Sequence, residues 1–213
     1  MSKNQRVSAV KAPPTDYRAL IQTFETQGKA HGFRIERYGQ VGDLPLIALT
    51  RRTSGPRPRI YLSAGMHGDE PAPPLALLSL LQAGFFDERA TWFICPVINP
   101  EGLTRGTREN ARGVDLNRDF KALVSDEIQA QVRWLKAQPN FDVTFCLHED
   151  WEAKGFYLYE LNPTARPTLA DIMIAATAQH HGLTILTRNV RHFEPLGVAV
   201  VDPFTALPED MVR

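Results

Sequence analysis

The sequence predicts an α/β fold, with a central, mostly parallel or mixed twisted sheet flanked by helices. Two observations predict it. Strand-like apolar segments alternate with segments of helical periodicity along the chain. Several strand segments, "RIYLSAG" and "TWFICPVI" among them, are apolar at nearly every position, as central strands covered on both faces are.

Taken in order, residues 1–14 are polar and end in Pro13-Pro14, which predicts a flexible arm. From Thr15 the pattern Leu20, Ile21, Phe24 predicts a short helix that fades at Gly28 and Gly32. "FRIERYG", "LPLIALT" and "RIYLSAG" read as strands. "LALLSLLQAGF" is apolar nearly all round and reads as a buried helix opening just after Glu70. "TWFICPVI" is a further strand, followed by a long polar loop over 99–119. Val124, Ile128, Val132 and Leu135 recur at helical spacing behind Ser125 and Asp126. "FDVTFCL" and "GFYLYEL" read as strands, and Thr168-x-x-Asp171 resembles a capping box opening a helix to about His180.

Length and composition fit one domain over residues 15–213, with 43% hydrophobic and 23% charged residues. Lys+Arg and Asp+Glu both number 24, so no overall field draws nucleic acid or an anionic membrane. The charge is unevenly placed: residues 1–59 hold 11 basic and 4 acidic side chains, and the remainder hold 13 and 20. That basic part reads either as an edge that attracts an anionic substrate or, more plainly, as solvated surface arginines. Cys95 and Cys146 sit in apolar runs and read as buried thiols rather than a disulfide framework. The first residues lack the apolar core of a secretory signal, and no run reaches the roughly 20 apolar residues a membrane helix needs. A cytoplasmic protein is expected. Oligomeric state is not legible.

Chemistry concentrates in "SAGMHGDEPA", Ser63 to Ala72. His67 and Glu70 are three apart where strand gives way to helix, so both can face one point. His148 ends the strand "FDVTFCLH", and ligands in α/β sheets gather beyond the carboxyl ends of strands. Two histidines and a carboxylate make a zinc ligand set that leaves a position for water. The plainer alternatives are a βα turn, with Glu70 stabilising the helix N-terminus, and a surface histidine before the solvated acidic loop "EDWE". His31, His180, His181 and His192 have no motif around them and read as surface histidines.

The loop "NPEGLTRGTRENARGVDLNRDF" carries the chain further. The order "HGDE", "NPEG", "R-x-N-x-x-GVDLNR" and a strand ending in His resembles the zinc carboxypeptidase superfamily. That superfamily includes metallocarboxypeptidases, murein-peptide amidases, and the aspartoacylase and succinylglutamate desuccinylase branch. The stretch "LHEDWEAKGFYLYELNP" resembles its short bacterial, deacylase-like members. The resemblance implies a zinc-exopeptidase (carboxypeptidase-like) architecture holding one Zn2+ on His67, Glu70 and His148. It implies Arg108 as the group that polarises the scissile carbonyl, and Asn117 and Arg118 as the pair that holds a terminal carboxylate. It implies Asp115 as the carboxylate that orients His67.

The implied reaction is hydrolysis of an amide next to a free carboxylate, in a small peptide or an N-acyl amino acid. The superfamily's general base, a glutamate in a stretch like T-x-E-x-P, has no match. In "FTALPE" Ala206 and Leu207 stand where it would fall, and Glu160, Glu194 and Glu209 lie in other contexts. The expectation is therefore a chain that stops before the base-bearing strand, with no base assigned. A silent zinc- and carboxylate-binding protein is the alternative from another class.

Overall fold

The structure, a computed structural model, describes residues 15–150, 169–187 and 189–202. Two compact units divide the chain, residues 1–151 and 152–213. The expected arm over 1–14 and the expected strand "GFYLYEL" lie outside the described residues.

In the first unit, Asp16 accepts from the N–H of Ala19 and opens α1 (Tyr17–Ala30). Strands β1 (Arg34–Val41) and β2 (Leu44–Arg51) form an antiparallel hairpin through the two-residue turn Gly42-Asp43. Then follow β3 (Arg59–Ser63), α2 (Ala72–Gln82), β4 (Thr91–Cys95), α3 (Pro100–Arg105), α4 (Asp126–Lys136) and β5 (Val143–Cys146). The sheet order is β1-β2-β4-β3-β5. β2 meets β4 antiparallel, and β3 runs parallel to both β4 and β5. The sheet is mixed, with its parallel part at the β4-β3-β5 side.

The period of two along the strands builds two cores. Ile47, Leu49, Leu62, Trp92 and Ile94 face one side and pack with Leu20, Ile21 and Phe24 of α1 and Leu77 and Leu81 of α2. Ala48, Tyr61, Phe93 and Cys95 face the other and pack with Ile128 and Trp134 of α4. Truncating a fully buried member such as Leu49 to Ala typically costs about 2–5 kcal/mol.

Four readings change. Helix α2 forms where expected but is not buried all round: Leu75 and Leu80 are exposed, because only its Leu77–Leu81 face reaches the sheet. Val124 lies before α4, exposed, and Ser125 is the cap, accepting from the N–H of Ile128. Cys95 is buried, whereas Cys146 is an exposed free thiol, because its face of β5 is left uncovered.

The fourth change is in the second unit. It contains α5 (Leu169–His181), a short parallel pair β6 (Ile185–Leu186) and β7 (Val200–Val201), and α6 (Val190–Phe193) between them. Thr168 lies outside the described residues. Asp171, in the first turn of α5, meets Nδ1 of His192 at 2.9 Å. His192 is therefore a buried, paired histidine rather than a surface one. Among the described residues no helix is long and apolar enough to cross a membrane.

Candidate metal centre

Strands β3 and β5 are neighbours, with Ser63 opposite Cys146 and the N–H of Leu147 donating to the carbonyl of Ser63 at 2.8 Å. The chain leaving each strand therefore arrives at the same end of the sheet. From β3 it turns at Gly65, whose φ of +60° favours glycine, and delivers His67. From β5 it delivers His148, and the two imidazole rings lie 4.8 Å apart.

Glu70 stands between them. Its Oε1 lies 2.6 Å from Nδ1 of His67, and its Oε2 lies 2.9 Å from Nδ1 of His148. The N–H of Glu149 also donates to Oε2 at 3.1 Å. One ligand atom from each of His67, Glu70 and His148 lies within 4.8 Å of the others. Glu70 therefore turns toward the histidines, and it is Glu149 that accepts from the first N–H of α2, Ala72, at 3.1 Å.

The far side of His67 meets Asp115, with Nε2 3.2 Å from Oδ1. An ionised carboxylate can only accept, so Nε2 carries a proton, and Nδ1 also faces an acceptor. An imidazolium satisfies both contacts. A cation held between Nδ1 and Glu70 satisfies them equally, with Nε2 keeping its proton. The donor set, two imidazole nitrogens and a carboxylate, suits zinc. Burial opposes charge on His67, but the bonds to Glu70 and Asp115 outweigh it and hold its pKa above the ordinary value. Burial likewise works against ionised Glu70, yet the bonds from His148, His67 and the Glu149 N–H bring its pKa down to about 2.

The segment after α3, residues 106–119, closes over this cluster. Asp115 caps a 3-10 turn, Leu116–Arg118, by accepting from the N–H of Asn117 at 3.1 Å. Leu116 is fully buried in the core beneath, which turns Asp115 inward toward His67 and leaves Asn117 and Arg118 exposed. Asp115 gathers cations as well: Nε of Arg108 lies 3.4 Å and Nε of Arg118 3.5 Å from Oδ2. Its pKa is lowered, because the bond to His67 and the charge of Arg108 outweigh burial. Nη1 of Arg108 reaches within 3.7 Å of Glu70. Arg108 is under half exposed, whereas the Arg118 side chain is 85% exposed. All seven residues singled out in the sequence thus lie in one cluster or at its rim.

The loop rests on residues that sequence reasoning passed over. Asn110 accepts from the N–H groups of Arg112 and Val114 and donates to buried Glu127 of α4 at 3.1 Å. Asp119 accepts from the N–H groups of Val124 and Ser125 and from the Ser125 hydroxyl. Fully buried Asn99 joins two motifs. The only local signal was their polar type within a motif, because the bonds that fix each in place, near and far, depend on how the loop folds.

Residues 56–190 match the family model for the succinylglutamate desuccinylase/aspartoacylase catalytic domain. Murein peptide amidase A of Vibrio campbellii is 30% identical over 142 residues, 67% of this chain and 52% of that one. The chain spans between a third and about half the length of the curated relatives it matches. A candidate metallopeptidase of Shewanella denitrificans OS217 superposes with a TM-score of 0.66 at 24% identity, covering 81% of this chain and 66% of the other. A metallo-carboxypeptidase of Burkholderia cenocepacia gives 0.57 at 22%, covering 64% and 42%. These likenesses are of fold, and the α/β, carboxypeptidase-like architecture expected from the sequence is the one found.

Proposed function

The chain belongs to the succinylglutamate desuccinylase/aspartoacylase catalytic domain family, and from that premise we propose that it is a zinc-dependent hydrolase. Its reaction is cleavage of an amide bond next to a free carboxylate, in the manner of a metallocarboxypeptidase. The observation that carries this reading is the convergence of His67 Nδ1, Glu70 and His148 Nδ1, with Asp115 on the far nitrogen of His67.

In this reading His67, Glu70 and His148 hold one zinc, and Asp115 keeps the proton of His67 on Nε2 so that the Nδ1 lone pair is free. Zinc at such a site supplies a Lewis acid and activates water near neutral pH. The Arg108 guanidinium donates to the carbonyl oxygen of the scissile amide as negative charge grows there. A fixed donor of this kind is typically worth about 10²–10³ in rate. Asn117 and Arg118, exposed at the rim, bind the substrate's free carboxylate, the guanidinium as a two-pronged donor. The substrate is a small peptide or an N-acyl amino acid.

The test is a panel of short peptides with free and amidated C-termini beside N-acyl amino acids, run with zinc-loaded protein. Cleavage that requires the free carboxylate supports the proposal, and preference for N-acyl amino acids selects the deacylase form of it. Equal cleavage of amidated peptides contradicts it. A second reading has its own observation: these 213 residues contain no T-x-E-x-P stretch to supply a general base. In that reading the protein binds zinc and carboxylate without turnover, and calorimetry detects binding where the panel detects no product.

A further inference from the structure

Asn99 has no part in the reading above, yet the motif loops meet on it. It follows β4 and is fully buried. Its Oδ1 accepts from the N–H of Gly102 at 2.8 Å, capping α3. Its Nδ2 donates to the carbonyl of Arg108 at 3.2 Å. That carbonyl also receives the N–H of Gly68 at 3.4 Å, and the N–H of Asn99 donates to the carbonyl of Gly65 at 2.8 Å. The Asn99 side chain thus ties the start of α3 to the backbone of Arg108, while its own N–H and that of Gly68 join the turn carrying His67 to the same place.

Capping alone does not call for asparagine. A cap needs an acceptor, which Ser, Thr and Asp supply as well. The bond to Arg108 needs a donor at the same reach, which ionised Asp lacks and Ser is too short to provide. The two partners agree on which way the amide points, since a flip would set Oδ1 against the Arg108 carbonyl and Nδ2 against the Gly102 N–H. The surroundings are shaped to it: a Cβ on Gly102 would stand 2.3 Å from Nδ2.

We propose that Asn99 is the positioning residue for Arg108: its amide holds the Arg108 backbone beside Gly68, so that the guanidinium stands over Glu70 and Asp115. The catalytic consequence rests on the reading of Arg108 as the donor to the developing oxyanion. Displacing such a group by about 1 Å costs on the order of 10²-fold in rate.

Two variants test this in the full zinc-loaded chain. Asn99→Ser keeps a cap and loses the donor; Asn99→Asp keeps the shape and loses the donor. Each is made with and without Arg108→Ala. The readouts are zinc per chain, kcat and KM, and the Nε–H resonance of Arg108 in 15N-labelled protein, identified by its loss in Arg108→Ala. Both variants are expected to keep zinc and to move the Arg108 resonance, with that of the Trp134 indole N–H unmoved. They lower kcat about 10–100-fold with KM little changed, and cost less than about twofold where Arg108 is already Ala.

An unmoved Arg108 resonance overturns the proposal. So does an equal loss of kcat in both backgrounds, or collapse of both variants, which would make Asn99 purely structural. If Arg108→Ala itself leaves kcat unchanged, the catalytic reading of Arg108 fails instead. The resonance then decides by itself whether Asn99 positions that side chain.

Discussion

Nδ1 of His67 lies 2.6 Å from Oε1 of Glu70, while its other ring nitrogen is held by Asp115 at 3.2 Å. The imidazole is thus gripped between two carboxylates. Zinc and a proton compete for the same Nδ1 lone pair. Because the folded pKa of His67 is raised, the proton persists to higher pH than on an ordinary histidine. Zinc affinity is expected to fall as pH drops through that value and to level off above it. Chelator competition across pH 5 to 9 measures this, and a flat profile would count against the arrangement.

Asp115→Asn keeps the size of the side chain and removes the acceptor charge that fixes the His67 tautomer. Zinc affinity should fall about 10–100-fold. An unchanged affinity would mean that the contact between His67 and Asp115 does nothing for the metal.

Glu70 gives the unloaded protein its own acid response. Its folded pKa of about 2 lies below its ordinary 4.5. The folded state therefore favours the ionised form, and the stability this contributes is present above pH 4.5 and lost as pH falls toward 2. In Glu70→Gln that part of the acid limb should vanish, and denaturant unfolding at a series of pH values would detect it. A variant with the same slope as the natural chain would contradict the assignment.

Gly68 is where two motifs touch. A Cβ there would stand 1.9 Å from the carbonyl carbon of Gly102, backbone against backbone. Gly68→Ala must push "HGDE" away from "NPEG". A destabilisation of at least about 1–3 kcal/mol follows, together with weaker zinc binding. Unfolding curves matching those of the natural chain would show that the two loops give way easily.

Arg118 is expected to act on substrate and not on stability, since its side chain is 85% exposed. Arg118→Ala should raise KM about 10–100-fold, as loss of a charged hydrogen bond implies, and Arg118→Lys should recover only part of it. An unchanged KM would remove Arg118 from the carboxylate site.

The strands of the first unit were legible because sheet pairing follows local apolar pattern. "RIYLSAG" and "TWFICPVI" became the parallel neighbours β3 and β4, and His67 and His148 followed from their place beyond strand ends. Burial of the helices was less legible. The sequence of α2 carries no charge, yet periodicity cannot report that only its Leu77–Leu81 face meets the sheet. Pairings over long separations were least legible. His192 finds Asp171 21 residues away, Asn110 finds Glu127, and Asn99 finds the Arg108 carbonyl. Each partner looks like ordinary loop or helix polarity until the fold brings the two together.

The most direct measurement is zinc per chain in protein purified without added metal, with His67→Ala beside it. The account predicts close to one zinc per chain, lost in the variant. No zinc in the natural chain, even after zinc is supplied, would contradict it, and His67, Glu70 and His148 would then be a hydrogen-bonded cluster and nothing more.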